Sequence, residues 1–361
     1  MFDFFWIPLF TALIAATAVL LLRPLARKGD LLDRPGGRKR HGDDVPLVGG
    51  IAVTFAVWVG AIAFMREQGH YAALLVGLTV LAGVGVIDDS RGMSPITKLG
   101  FQIFAAILMT SWGGVFLMSL GDVLSKREIV LQNWGIPLTL FAAVAVINAM
   151  NMMDGLDGLA GGMALIIFAW FAYLSGEVLN FSAQRLCVVM CGALAGFLYF
   201  NLPHPLRGRY RVFLGDAGSL MLGFAIVWFA VELSQPQYNG GRHVPPVVML
   251  WVCGFLLIDL LAVVLRRALL GRNPLSADRT HLHHFLLRLN IRPPLAVLTI
   301  LTSNALLGLC GVLAWRYGVP EHIMFLAFVL TAAVHLLVMG NAARFLRRMR
   351  KGLQTLRGRK D

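Results

Sequence analysis

Runs of about twenty apolar residues, each long enough to cross a ~30 Å hydrocarbon core as a helix, recur along the whole of this 361-residue chain. In lipid only helices and closed barrels satisfy every backbone N–H and C=O, and these runs are continuous rather than alternating, so they read as helices. A composition of 58% hydrophobic and 14% charged residues, with mean hydropathy +0.72, excludes an ordinary soluble domain. The expectation is an all-α, polytopic integral membrane protein with about eleven transmembrane helices. They fall near 4–22, 45–65, 71–87, 98–120, 134–153, 159–176, 184–202, 217–234, 246–265, 296–315 and 320–341. The reading is a single domain over 1–361, with a basic tail at about 342–361. Residues 1–22 resemble a signal peptide, but their positive charges follow the apolar run, so the segment reads as an uncleaved first span. Cys187, Cys191, Cys253 and Cys310 lie inside apolar runs with no CxxC pair and read as small hydrophobes.

A net charge of +13 invites a nucleic-acid reading, which its distribution excludes. Of the 32 Lys and Arg residues, 26 fall in 23–43, 88–98, 203–216, 266–294 and the C-terminal tail. The rest, Arg66, Lys126, Arg127, Arg185, Arg242 and Arg316, lie on the alternate loops or their edges. The positive-inside rule therefore puts the N-terminus in the periplasm and the C-terminus in the cytoplasm, which needs an odd number of spans. The expected location is a bacterial inner membrane, with the basic tail on its anionic inner leaflet.

Polar residues that interrupt such spans are costly and ask for a function. The stretch from Asn148 to Gly162 carries Asn148, Asn151, Asp154 and Asp157 at spacings of three, which on one helix would form a single polar stripe. The third span ends on Asp88-Asp89, followed by Lys98 and Gln102. Adjacent carboxylates at a membrane boundary repel unless they share a cation or a proton, and side chains one apart on a helix point apart, so two jobs are expected. In the first basic loop Arg23, Arg27 and Lys28 read as orientation signals, whereas Arg38, Lys39, Arg40 and His41 sit between Gly36-Gly37 and Gly49-Gly50 as an anion-binding turn.

The loop Arg207-Gly-Arg209-Tyr-Arg211 leads into Gly215-Asp216-Ala-Gly-Ser219 at a helix entrance. Asp216 there suits a ligand for a hard cation that also holds phosphate oxygens, and an N-cap reading of Asp216 or Ser219 stands level with it. The last large loop carries Arg279, His281, His283 and His284. With no cysteine nearby a zinc site is a poor fit, and a phosphate clamp by His281, His284 and Arg279 is the simpler reading. His322 and His335 lie outside any cluster and read as structural, and the last two spans as scaffold.

All these clusters fall on the side assigned to the cytoplasm by charge alone. Carboxylates for a divalent cation, with Lys, Arg and His for phosphates, at a membrane surface suit phosphoryl transfer from a soluble nucleotide donor to a lipid acceptor. The ordered motifs Asp88-Asp89 with Lys98 and Gln102, Asn148 through Asp157-Gly-Leu, Phe213-Leu-Gly-Asp216-Ala-Gly-Ser and His281-Leu-His-His284 resemble those of the polyprenyl-phosphate N-acetylhexosamine-1-phosphate transferases. The resemblance covers nearly the whole chain and is closest to the bacterial undecaprenyl-phosphate N-acetylglucosamine-1-phosphate branch. The muramoyl-pentapeptide branch shares the core but carries three consecutive histidines followed by Phe-Glu, where this chain has Leu282 within the run and Leu286 in place of that Glu.

The resemblance implies that UDP-N-acetylglucosamine and undecaprenyl phosphate give undecaprenyl-pyrophosphoryl-N-acetylglucosamine and UMP, the first membrane step of O-antigen or related polysaccharide synthesis. It implies Mg²⁺ (or Mn²⁺) on Asp216 with Asn151 as second ligand. Catalytic candidates are then Asp88, Asp89, Lys98, Asp154 and Asp157, and substrate-binding candidates are Lys39, His41, Asn148, Asn151, Arg209, Arg279, His281, His283 and His284. Another UDP-N-acetyl sugar, or UDP-muramoyl-pentapeptide, is the alternative donor; direct attack is favoured over an aspartyl-phosphate route, and homodimer formation is left open. A transporter or flippase is the reading from another class; it is disfavoured because the polar groups gather at one face instead of the midplane.

Overall fold

A computed structural model describes residues 3–34, 44–65, 69–125, 127–269, 271 and 281–357. Lys39, His41 and Arg279 lie outside the described residues, as does the side chain of Arg209. Thirteen α-helices make up the described fold. In chain order they are α1 (Asp3–Lys28), α2 (Gly49–Phe64), α3 (Ala72–Arg91), α4 (Pro95–Ile107), α5 (Gly135–Met153), α6 (Leu159–Glu177) and α7 (Phe181–Asn201). They continue with α8 (Gly215–Ser234), α9 (Pro246–Val252), α10 (Gly254–Leu269), α11 (Leu282–Arg288), α12 (Pro293–Arg316) and α13 (Glu321–Arg357). The departure from an all-helical chain is small: β1 (Leu32–Asp33) pairs antiparallel with β2 (Val45–Pro46) at the base of the first basic loop.

Eight helices among the described residues are long and apolar enough to cross a membrane, or nine if the bent pair α9 and α10 is one span. α2 is apolar but has only 16 residues, and α4 has 13 before a π-helical turn, Leu108–Trp112, prolongs it. The chain is thus a polytopic helical membrane protein.

α8 is its axis. In its most apolar window 94% of the residues are buried, against 17% for the outermost helix α13. α3, α5, α2 and α6 pack around α8, and α1 lies outside them against α7 and α2. Close approach at the start of α8 needs small residues: a Cβ on Gly50 of α2 would stand 2.1 Å from the Gly218 nitrogen, and one on Gly85 of α3 2.1 Å from that of Ala217. Backbone-to-backbone packing of this kind is how apolar helices associate where lipid supplies no hydrophobic drive. The far end of α8 is held by Glu232, fully buried, which accepts hydrogen bonds from Tyr71 Oη (2.6 Å), Trp228 Nε1 (2.9 Å) and Asn180 Nδ2 (3.0 Å).

The segment expected as one span over 246–265 is bent by 83° between α9 and α10. A break frees backbone groups that lipid cannot satisfy. Asn304 of α12 satisfies them: its Oδ1 accepts from Phe255 N (3.0 Å) and its Nδ2 donates to Val252 O (3.3 Å).

Candidate active site

The first turn of α8 carries the centre of the site. Gly215 takes a left-handed conformation (φ +72°), and a Cβ there would lie 2.5 Å from Asp89 Oδ2. Asp89 accepts the exposed N–H groups of that turn, Asp216 N at 3.1 Å and Ala217 N at 3.4 Å, so the C-terminal carboxylate of α3 caps α8. Its neighbour points elsewhere. Asp88 accepts from Met93 N (2.7 Å) and forms an ion pair with Lys98. The same ammonium lies 2.6 Å from Asp216 Oδ2, so one cation bridges two carboxylates. Asn151 Nδ2 donates to Asp216 Oδ1 and to Ser219 Oγ, both at 3.0 Å. One turn back along α5, Asn148 and buried Gln102 face each other, with Asn148 Nδ2 donating to Gln102 Oε1 at 2.7 Å.

The helical stripe expected from spacings of three does not form. α5 ends at Met153, Asp154 sits at its C-cap, and a turn leads to Gly158 (φ +82°) at the entrance of α6. The glycines of this stretch end the helix between the two expected spans, 134–153 and 159–176. Asp157 is therefore swung away and pairs with Arg211 (2.7 Å) and Arg207 (3.2 Å). Asn201, at the end of α7, joins the two loops by accepting Gly158 N (2.5 Å) and donating to Val212 O (2.9 Å). Burial, then the charges of Asp216, Asp89 and Asp157, push the Asp154 carboxyl up to about 8, against an opposing backbone hydrogen bond from Gly215.

The histidines form a third wall. His281 is the N-cap residue of α11, and its Nδ1 lies 2.7 Å from Asp259 Oδ2. Its ring stacks parallel to that of His283 at 5.8 Å, and His284 lies 4.1 Å beyond. The parallel-stacked pair is therefore 281 with 283. His283 is buried against the 154–158 turn, where a Cβ on Gly155 would stand 2.8 Å from its Nε2. Burial and the neighbouring His284 and His281 pull its pKa down to about 3, which leaves a neutral ring at physiological pH. His335, expected to be an isolated structural residue, stands 3.7 Å from Asp259. Arg23 is likewise no bare orientation charge: it is buried with its guanidinium 4.7 Å above the Tyr210 ring.

The structure therefore brings Asp88, Asp89, Lys98, Asn148, Asn151, Asp154, Asp157 and Asp216 to one end of the bundle. The histidine loop joins them across Gly155. Residues that sequence reasoning missed are Asn201, Asp259 and the Arg207–Arg211 pairing with Asp157. Asp259 had a signal, a lone carboxylate in the apolar run of α10. Among the described residues no three His, Cys, Asp or Glu side chains converge as a ready-made metal site.

Carboxylates, a lysine and histidines thus gather at one end of a helical membrane bundle. The chain belongs to glycosyl transferase family 4, whose pattern matches residues 71–234, and hence to the sugar-1-phosphate transferases. It is 36% identical to the undecaprenyl-phosphate alpha-N-acetylglucosaminyl 1-phosphate transferase of Escherichia coli (strain K12) over 367 residues, covering 99% of this chain and 96% of that one. The enzymes of the same name from Haemophilus influenzae and Yersinia pestis are 32% and 33% identical, covering 96% and 95% of this chain and 98% and 94% of their own.

Proposed function

We propose that the protein transfers N-acetylglucosamine-1-phosphate from UDP-N-acetylglucosamine to undecaprenyl phosphate, giving undecaprenyl-pyrophosphoryl-N-acetylglucosamine and UMP. An oxygen of the lipid phosphate attacks the β-phosphorus of the donor, and the bond from that phosphorus to the UMP oxygen breaks. The carrying observation is the Lys98 ammonium bridging Asp88 and Asp216 at the start of α8, with Asn151 alongside. The relatives' names supply the donor sugar and the lipid.

Asp88, Asp216, Asn151 and Ser219 offer hard oxygen donors of the kind Mg²⁺ or Mn²⁺ takes, so the residues fit such an ion, with Asp216 as principal ligand and Asn151 as second. When bound, the cation neutralises the donor pyrophosphate and stabilises the UMP oxyanion. Lys98 holds a phosphate as a point charge, and Asp88 orients the incoming lipid phosphate. The acceptor needs little base catalysis, because the second pKa of a phosphomonoester is about 6. Asp89 works at one remove, fixing the turn that carries Asp216. Asp154 faces the sugar or uridine, Asp157 holds Arg207 and Arg211 for the donor, and His281, His283 and His284 complete the polar wall; Arg279, Arg209, Lys39 and His41 remain substrate-binding candidates by their motifs alone. Asn148 keeps its place through Gln102.

Each of the eleven apolar segments has a helical counterpart, and with α2, the prolonged α4 and the bent pair counted as spans the termini fall on opposite sides. The reaction then runs on the cytoplasmic face of a bacterial inner membrane, where the nucleotide donor is, and feeds O-antigen or related polysaccharide synthesis. UMP release by the purified protein with Mg²⁺, undecaprenyl phosphate and a panel of UDP-sugars tests this. Turnover with UDP-N-acetylglucosamine in preference to UDP-N-acetylgalactosamine and UDP-muramoyl-pentapeptide is expected; the pentapeptide donor alone working would reassign the substrate.

A further inference from the structure

We infer that Asp259, a residue outside every motif above, is the positioning residue of the histidine loop and thereby sets donor affinity. The inference rests on the proposed reaction. Asp259 lies on α10 just beyond the 83° break and is only 1% exposed, so it does not touch substrate. Both of its oxygens are engaged from the loop: Oδ2 with His281 Nδ1 at 2.7 Å, and Oδ1 with Leu282 N at 3.1 Å. A carboxylate accepts only, so Nδ1 carries the hydrogen and the ring is fixed in orientation, with Nε2 as its other nitrogen. The same carboxylate anchors the first turn of α11 through Leu282 N, tying ring and helix to one point.

The consequence travels by contact. The His281 ring stacks on His283 at an interplanar angle of 8°, and His283 in turn fills the space over Gly155 next to Asp154. His283 Nδ1 is buried and has no hydrogen-bond partner among the described residues. A buried nitrogen without a partner costs free energy, so this ring depends on the stacking and packing that hold it in place. Asp259 therefore aligns the face on which the nucleotide-sugar rests. A neutral amide has one acceptor oxygen, so an asparagine that keeps Leu282 N presents its NH2 to His281 Nδ1 and drives the ring out of the tautomer that Asp259 imposes.

The test measures steady-state kinetics of Asp259→Asn, Gly155→Ala and the double variant in the full-length protein. Losing one hydrogen bond to a charged group costs about 10- to 100-fold. Asp259→Asn is expected to raise KM for UDP-N-acetylglucosamine by that factor, with KM for undecaprenyl phosphate unchanged and kcat altered far less. Gly155→Ala, which places a methyl against His283 from the other side, should act in the same sense, and the double variant should be less than multiplicative. An unchanged donor KM in Asp259→Asn, or a loss shared equally by both substrates, overturns the inference. A second readout needs no Asp259 variant: nitrogen-15 NMR of ring-labelled histidine, assigned with His281→Gln, should show Nδ1 of His281 protonated, and a bare Nδ1 overturns it. Wild-type protein that releases no UMP would instead sink the proposed reaction, and the NMR result would still decide the geometry.

Discussion

Asp88 and Asp89 are neighbours in sequence with separate tasks, because successive residues of a helix end point about 100° apart. Asp89 holds the backbone of the α8 turn, while Asp88 and Asp216 hold Lys98. Asp216→Asn should lower UMP release roughly 10²- to 10³-fold, the usual scale for losing one electrostatic contact to a transition state, with membrane insertion unchanged. Turnover at the wild-type rate would remove Asp216 from the chemistry. Gly215→Ala combines a left-handed φ with a Cβ 2.5 Å from Asp89 Oδ2. Strain of about 1–3 kcal/mol should lower the thermal midpoint and activity together. Asp154 carries a pH signature. Folded, it keeps its proton up to about 8, whereas unfolded it loses it near 3.8. Raising the pH through that window therefore favours the unfolded chain, which releases the proton more readily. In chelator the thermal midpoint of the wild type should fall from about pH 5 to pH 8, and Asp154→Asn should flatten the slope. A wild-type midpoint independent of pH would contradict the assigned environment.

Among the helices, what the sequence made legible and what it hid divide along a physical line. Apolar runs are local, so the positions of the eight long apolar helices were readable, and the five polar clusters followed from the interruptions. The end of α5 was readable too, from Gly155 and Gly158, but regular spacing of polar residues gave the competing impression of a longer helix. The break between α9 and α10 was not: no proline marks it, and its backbone groups are satisfied by Asn304, 49 residues downstream of Phe255. Asp259 was visible as a lone carboxylate in an apolar run, but its role was not, since its partners His281 and His335 come from distant parts of the chain. Asn304→Leu leaves the broken backbone unsatisfied and should destabilise the protein by about 1–3 kcal/mol. A thermal midpoint in detergent equal to that of the wild type would show that the break holds without it.

For the whole molecule, the open question is which side of the membrane carries the site. Counting Lys and Arg proposes one side as cytoplasmic, and the fold gathers the base of the first loop, the Asp88–Lys98 segment, the α5–α6 turn, the α7–α8 loop and the histidines at one end of the bundle. Topology is testable with a membrane-impermeant maleimide. A cysteine at Leu179, in the turn between α6 and α7, should label in intact spheroplasts, and one at Lys360 only after lysis; the reverse pattern would invert the protein. The central claim is that the sugar and one phosphate move together onto a lipid. It is tested most directly with UDP-N-acetylglucosamine labelled at the β-phosphorus, incubated with purified protein, undecaprenyl phosphate and Mg²⁺, then partitioned into organic solvent. The account predicts label in the lipid phase with one UMP released per labelled lipid. Label left in the aqueous phase as UDP, with sugar alone on the lipid, would contradict it.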